Sequence, residues 1–328
     1  MQIAGRKFLV IGGAGFIGSH LVDQLLVRDA ASVLVYDNFS RGSRANLTTA
    51  LRDRRTGIFA DGGDIQHLDM LKRAMEGVDG VFHLAALWLL QCYEYPRSAF
   101  DVNVTGTMNV IEAAIDCGVE RMVFSSSASV YGDAVTEPMP EDHPLGCEEF
   151  YGASKVCGEM LVRAMCNRQR LLGHDMDFIG LRYMNVYGPR QYDDGDYISV
   201  TARMINALKR NEAPEVHGDG SQAFDFVDVR DCARANILAM ESDASNAFFN
   251  VGTGLKTSVA DLATRLIALW GSDMQVRHVD SDRHTVRNRI GSTSLAGSQL
   301  GFASEIDLDR GLADLVAWHH SATQGVGS

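Results

Sequence analysis

The stretch KFLVIGGAGFIGSH, residues 7–20, leaves little freedom for what the first part of this chain can fold into. A short, wholly apolar run ends in Gly12. Gly15 and Gly18 follow at three-residue spacing, and a helical pattern begins at once. Continuous apolar runs of this length read as buried strands. Glycines at that spacing allow a tight turn and let a pyrophosphate approach the backbone N–H groups of the helix that follows. The next apolar run, SVLVYD, ends in Asp37, 19 residues past Gly18. An acid about 20 residues beyond the glycines accepts hydrogen bonds from a ribose. The carboxylate repels a 2′-phosphate, so NAD is favoured over NADP. Arg41 and Arg44, just downstream, partly offset that preference.

The same alternation continues. TGIFAD (56–61), GVFHLA (80–85), RMVFSS (121–126) and DFIGLRY (177–183) read as further strands. Helical patterns lie at 67–76, 97–117 and 150–172. Strand–helix alternation implies βαβ units around a parallel sheet. The expected fold is α/β, a Rossmann-type doubly wound parallel sheet with a smaller α/β C-terminal substrate lobe. The expected division is 1–180 for the NAD-binding domain and 181–328 for the lobe, with the chain returning to the sheet around 225–252. Residues 187–197 read as a loop. Helices are expected at 198–210, 230–242, 257–270 and 307–320, and a strand at 247–252.

Composition narrows the class of function. The chain has 328 residues, a net charge of −12 and a pI near 5.2. That argues against a nucleic-acid surface, which needs a basic stripe. No run approaches the ~20 apolar residues of a membrane span, and the N-terminus lacks the pattern of a signal peptide. Six cysteines form no C-x-x-C pair, consistent with free thiols in a cytoplasmic protein. The ten histidines show no metal-ligand spacing, so no metal is expected. His319 and His320 read as the solvated tail of a helix.

YGASK places Tyr151 four residues before Lys155 on the long helix, and residues four apart share a helical face. By spacing alone the pair is either a helix surface or an acid–base site. Other stretches favour the second reading: HLAA (83–86), FSSSASVYG (124–132), DVNVTGTMNVIEAA (101–114), LRYMNVYGPRQ (181–191), HGDGSQAFDFVDVRD (217–231) and FNVGTG (249–254). With the glycine pattern, they make the chain resemble the extended short-chain dehydrogenases. Within these it resembles the nucleotide-sugar epimerase/dehydratase family, most of all its UDP-glucose 4-epimerases.

The resemblance implies a tightly bound NAD that is not consumed, and a set of roles. Gly12, Gly15, Phe16, Ile17, Gly18, Asp37 and Asn38 would hold the adenosine and pyrophosphate. Asp64 and Ile65 would sit by the adenine. Leu84, Ala85, Ala86 and Ser125 would line the cofactor, with Asn103 holding structure near the nicotinamide. Lys155 would bind the nicotinamide ribose, and Tyr183 would lie beside the ring. Ser127, Tyr151 and Lys155 would be catalytic, with Ser127 on the reacting hydroxyl. Ser129, Asn185, His217, Arg190 and Arg283 would face the substrate, a nucleotide sugar and by default a UDP-sugar. Helices 97–117 and 150–172 would form a homodimer interface.

A free tyrosine has a pKa of about 10, so a base at neutral pH needs a drop of about three, on the order of 4 kcal/mol. The Lys155 ammonium and a positive nicotinamide would favour the phenolate. The reaction type is read from what is missing. Sugar 4,6-dehydratases carry Thr-Asp-Glu where this chain has Ser127, Ala128 and Ser129, and nucleotide-sugar decarboxylases carry glutamate where Ser129 stands. Without those carboxylates, 4-epimerisation remains. The alternatives are another NAD(P)-dependent oxidoreductase or 4,6-dehydratase of the same fold, and a non-catalytic dinucleotide-binding regulator.

Two stretches depart from the family pattern. Phe224 stands where the family has an arginine that clamps the nucleotide diphosphate, and a phenyl ring cannot replace a guanidinium. Arg190, Arg283, Arg287 and Arg289 are candidates to serve instead. The segment 87–100 carries Trp88, Leu89 and Leu90 where relatives are more polar. That is either loop packing or a pocket for a less polar sugar.

Overall fold

The computed structural model describes residues 1–173, 176–193, 198–280 and 286–324. Seven strands form one parallel sheet. They are β1 (Lys7–Ile11), β2 (Ser32–Tyr36), β3 (Thr56–Ile58), β4 (Gly80–His83), β5 (Arg121–Ser127) and β6 (Asp177–Tyr183), joined at the edge by β11 (Ala247–Val251). Their order is β11-β6-β5-β4-β1-β2-β3. The chain builds outward from β1 in one direction, then crosses back to β4 and builds in the other. That reversal leaves a crevice beyond the C-terminal ends of β1 and β4, where open α/β sheets bind ligands.

Helices cover both faces. The helices α1 (Phe16–Val27) and α8 (Val229–Glu241) pack together on one. On the other lie α2 (Leu68–Met75), α5 (Thr107–Asp116) and α6 (Phe150–Leu171). Strands covered on both faces become nearly all apolar, and Phe8, Leu9, Val10 and Ile11 of β1 are fully buried. The expected return of the chain to the sheet is visible in β11, which pairs with β6.

The expected helix over 97–117 is present: after the short α3 (Leu89–Glu94), α4 (Pro96–Ala99) runs through a π-helical stretch, Phe100–Gly106, directly into α5, which ends at Asp116. Pro96 opens α4 at the position where a proline's missing N–H costs nothing. The segment 87–100 is therefore largely helical.

The lobe contains β7 (Asn185–Tyr187), β8 (Glu215–His217), β9 (Ala223–Phe224), β10 (Phe226–Asp228), β12 (Thr257–Ser258), β13 (Arg277–Val279) and β14 (Asn288–Arg289), all short. It also holds α7 (Val200–Lys209), α9 (Val259–Trp270) and α11 (Leu308–Gln324), whereas α10 (Ser294–Leu300) packs against β11 and α8. Tyr187, Ile205, Leu262, Leu266 and Leu312 are among the residues of its own apolar core. His319 is not a solvated tail. It is 3% exposed, and burial pushes its imidazole pKa down to about 4. His320 is exposed and stacks on Trp270.

A buried ion pair fixes α6 to the sheet. Glu159 takes Arg182 Nε and Nη2 at 2.9 and 2.7 Å, and Ser126 Oγ donates to the same carboxylate at 2.5 Å. The other edge of Arg182 donates to Tyr131 Oη and the Glu141 carbonyl, both at 2.8 Å. Breaking a buried pair leaves one charge uncompensated, which costs about 3–5 kcal/mol. Glu159→Ala should lose that much in urea unfolding. The double variant Glu159→Ala/Arg182→Met should lose less than Glu159→Ala alone.

Candidate active site

Gly12 has φ +79°, and a Cβ there would lie 2.8 Å from the Ala85 nitrogen at the end of β4. A Cβ on Gly18 would lie 2.2 Å from the Gly12 carbonyl oxygen. Bare backbone is therefore required at both places, and it opens the start of α1 to a phosphate group. Asp37 stands at the end of β2. One carboxylate oxygen accepts the Ala14 N–H at 2.9 Å and the other the Phe39 N–H at 2.8 Å. Burial raises its pKa, while those two bonds act to lower it.

A single cleft of about 2640 Å³ runs from this turn to the lobe. Gly12, Gly15, Phe16, Ile17 and Gly18 line its inner end with Asp37, Asn38, Asp64 and Ile65. Leu84, Ala85, Ala86, Ser125 and Tyr183 line the next stretch, followed by Ser127, Tyr151 and Lys155. The Tyr183 hydroxyl lies 3.1 Å from Ser125 Oγ and accepts from Asn236 Nδ2 at 2.8 Å. Asn103 lies behind the wall instead. Its amide accepts the Leu87 N–H at 2.7 Å and donates to the Leu87 carbonyl at 3.0 Å and to Ser154 Oγ at 3.1 Å. It thereby ties the segment after β4 to α6. Asn103 sits in the π-helical turn, a distortion common at functional sites.

Tyr151, Lys155 and Glu159 form one stripe of α6 that faces the sheet. Lys155 Nζ donates to the Ser125 carbonyl at 2.8 Å and lies 5.7 Å from the Tyr151 ring centre. The phenol shares a hydrogen bond with Ser127. Burial raises the pKa of Tyr151, opposed by the Ser127 hydrogen bond and by the charge of Arg289. Two cations therefore lie near this phenol: the Lys155 ammonium, over its ring while it donates to the Ser125 carbonyl, and the Arg289 guanidinium.

On the substrate side, Ser127, Ser129, Asn185, Arg190 and His217 all line the cleft. Ser129 Oγ accepts from Arg289 Nη1 at 3.3 Å. Arg190 is engaged by Asp23 on α1 at 2.8 Å. His217 is an exposed strand residue. Arg283 lies outside the described residues. Phe224 lines the cleft and packs edge-on against Phe226. Trp88 lies 5.4 Å from the Arg41 guanidinium, which also lies 4.5 Å from the Tyr192 ring. Leu87, Trp88, Leu89 and Leu90 of the apolar 87–100 segment also line the cleft. Sequence reasoning missed the Glu159–Arg182 pair; only the i, i+4 spacing of Lys155 and Glu159 hinted at it. It had Arg289 as one of four candidate phosphate ligands, without its link to Ser129 and Tyr151.

Residues 8–252 match the family described as NAD dependent epimerase/dehydratase. The chain belongs to that family. It is 35% identical over 322 residues to the UDP-glucose 4-epimerase of Mycolicibacterium smegmatis, covering 97% of this chain and all of that one. It is also 30% identical over 325 residues to a dTDP-glucose 4,6-dehydratase of Actinoplanes, covering 96% and 98%. Among solved structures, the UDP-glucose 4-epimerase of Thermotoga maritima with UDP-glucose superposes with a TM-score of 0.88 at 32% identity, covering 97% and 99%. MoeE5 with UDP-glucuronic acid and NAD gives 0.84 at 31% identity, covering 97% and 100%. The family is NAD-dependent, and the bare-backbone cradle at Gly12 and Gly18 fits that cofactor.

Burial pushes the Lys155 pKa down from 10.5 to about 8. The unfolded chain therefore holds the proton more tightly than the native state, so stability rises with pH through this window. The cost is fully present below about pH 8 and is relieved as pH approaches 10.5. It amounts to about 3 kcal/mol at neutral pH. Urea unfolding of the NAD-stripped protein should find Lys155→Met more stable than wild type at pH 7. That advantage should shrink by pH 9.5.

Proposed function

We propose that this protein is a nucleotide-sugar 4-epimerase of the UDP-glucose 4-epimerase type. The observation that carries this reading is the turn after β5. Ser127, Ala128 and Ser129 stand there beside Tyr151, and the turn contains no carboxylate. Dehydration needs an acid and a base to remove water across C5 and C6, and Ala128 has no proton to give. Decarboxylase-type chemistry lacks the glutamate expected at Ser129.

In this reading Ser127 holds the sugar 4-hydroxyl, and Tyr151 takes its proton. NAD, when bound, supplies the hydride acceptor and a positive ring beside the phenol. Lys155, donating to the Ser125 carbonyl, holds the floor against which the nicotinamide ribose would rest. The product of oxidation is a 4-keto sugar. With its other face presented to the same residues, C4 would take back the hydride that bound NAD had accepted and the C4 oxygen the proton held by Tyr151, which inverts C4 with no net redox change. Stripping the cofactor between turnovers would waste the cycle, so NAD stays bound. A UDP-sugar is the default substrate, by analogy with the relatives. The rival oxidoreductase reading predicts net consumption of NAD(P)H, and the regulator reading predicts no turnover.

Two expected outcomes test this. NMR of the purified protein with UDP-glucose, UDP-glucuronate and UDP-N-acetylglucosamine, without added cofactor, should show a C4-inverted product from at least one. A 4-keto-6-deoxy product would sink the argument from Ala128 and Ser129. Tyr151→Phe should lower kcat by about 10²–10⁴ while the protein still retains NAD.

We also infer a homodimer through the 97–117 segment and α6. Phe100, Phe150 and Met160 on these elements are exposed apolar residues, at 44%, 37% and 41%. Light scattering should give twice the chain mass of 35.8 kDa. Met160→Arg should move the equilibrium towards monomer.

A further inference from the structure

Arg289, on β14, is 7% exposed and lines the cleft. Its Nε donates to the Gly132 carbonyl at 3.3 Å and its Nη1 to Ser129 Oγ at 3.3 Å. Its Nη2 has no partner. Two other arginines with buried partners are held differently. Arg182 is paired with Glu159, and Arg230 with the fully buried Asp228. Arg289 makes no ion pair among the described residues. Glu149, which also lines the cleft and has one buried carboxylate oxygen without a hydrogen bond, and Asp133 are the carboxylates whose charge it feels, and neither forms an ion pair with it. Asp133 is occupied by the Arg287 N–H at 2.6 Å.

A buried cation with no carboxylate in contact is costly. Two weak neutral acceptors and one free donor leave room for an anion. Its position says which part of a substrate brings that anion. Gly132 and Ser129 belong to the turn that follows β5, and the Tyr151 phenol lies within the field of the guanidinium. This is the reacting end of the cleft. On a hexopyranose that reacts at C4, the nearest substituent able to carry charge is the exocyclic carbon on C5. A neutral hydroxymethyl there would satisfy a donor but not the charge. A carboxylate does both, and its two oxygens match the guanidinium fork.

We propose that Arg289 makes the site selective for a nucleotide sugar with a carboxylate on its pyranose ring, a nucleotide-linked uronic acid. This rests on the reading of the cleft as a nucleotide-sugar 4-epimerase site. It gives Arg289 a task other than replacing the diphosphate arginine absent at Phe224, although the two residues are paired in register across β9 and β14.

The test is calorimetric binding to the NAD-loaded protein, using glucose and glucuronate on the same nucleotide. UDP is tried first, then dTDP and GDP. Wild type should bind the glucuronate form at least about tenfold more tightly. Arg289→Met, close in volume, should lose roughly 100-fold on the glucuronate form and less than threefold on the glucose form. Arg289→Lys should recover part of the loss. Equal loss on both sugars would assign the guanidinium to the shared diphosphate and overturn the proposal. So would a wild type with no preference, a result that needs no variant to fold. NMR on the same mixtures separates the two readings. A uronate preference without C4 inversion sinks the epimerase and leaves Arg289 standing. Inversion of UDP-glucose without a uronate preference does the reverse.

Discussion

The pairing of Glu159 with Arg182 is the contact on which the geometry of the site depends. It joins the middle of α6 to β6, and through Ser126 it reaches β5 as well. In the parallel register Ser126 stands beside Arg182, so carboxylate, hydroxyl and guanidinium meet at one level of the sheet. Two turns N-terminal to Glu159 on the same face is Tyr151, and one turn is Lys155. One residue beyond Ser126 is Ser127. A slip of α6 along the sheet would separate Tyr151 from Ser127, and the pair opposes that slip with two charged contacts in a dry interior. The network continues through Tyr131, whose hydroxyl donates to Asn250 Oδ1 at 2.7 Å on β11. Asn250 Nδ2 in turn donates to the Met139 carbonyl at 2.9 Å. The turn that carries Ser129 is therefore held from both α6 and the edge of the sheet.

Where local sequence dictates local structure, the sequence was legible. The apolar run of β1 and the spacing of Gly12, Gly15 and Gly18 specify strand, turn and helix without outside help. The same holds for the strand ending in Asp37 and for the long α6. Features decided by contacts far apart in the chain were not legible. Nothing near Lys155 says that its ammonium will turn to the Ser125 carbonyl, because that acceptor is 30 residues away. The π-helical stretch inside the 97–117 helix carries Asn103, whose amide reaches Leu87 and Ser154, and helical periodicity alone passes over it. His319 read as solvated because it lies near the end of the chain, yet it is buried, with Asp193 3.7 Å from its ring nitrogen. In each case a pairwise or packing constraint overrode a correct local pattern.

The charge arrangement of the cleft follows the same division. Its inner end offers bare backbone and two carboxylates, Asp64 and Asp37, the second kept in place by two N–H partners. Its outer end carries both signs of charge, with Arg203, Arg287 and Arg289 near Asp133, Glu149 and Asp193, while Phe224 is apolar and Arg190 is held by Asp23. The net charge of −12 says nothing about this local balance. A chain can be acidic overall and still present a guanidinium where an anionic ligand arrives.

Two cations, Lys155 and Arg289, are buried within reach of Tyr151, and burial lowers the pKa of both. In an empty site this is an unfavourable arrangement, because each charge has given up water for neutral acceptors. Burial meanwhile raises the Tyr151 pKa, so the phenol holds its proton while no ligand is present. The three groups are mismatched alone and matched together: ionising the phenol would supply the negative charge that the two cations lack. A negatively charged substrate group beside Arg289 would offset that cation and weaken its pull on the phenol. Deprotonation of Tyr151 would then fall more heavily on Lys155 and on the positive cofactor ring. Such a site gains electrostatic balance only when cofactor and substrate are both in place, and stability given up in the empty protein is returned as binding.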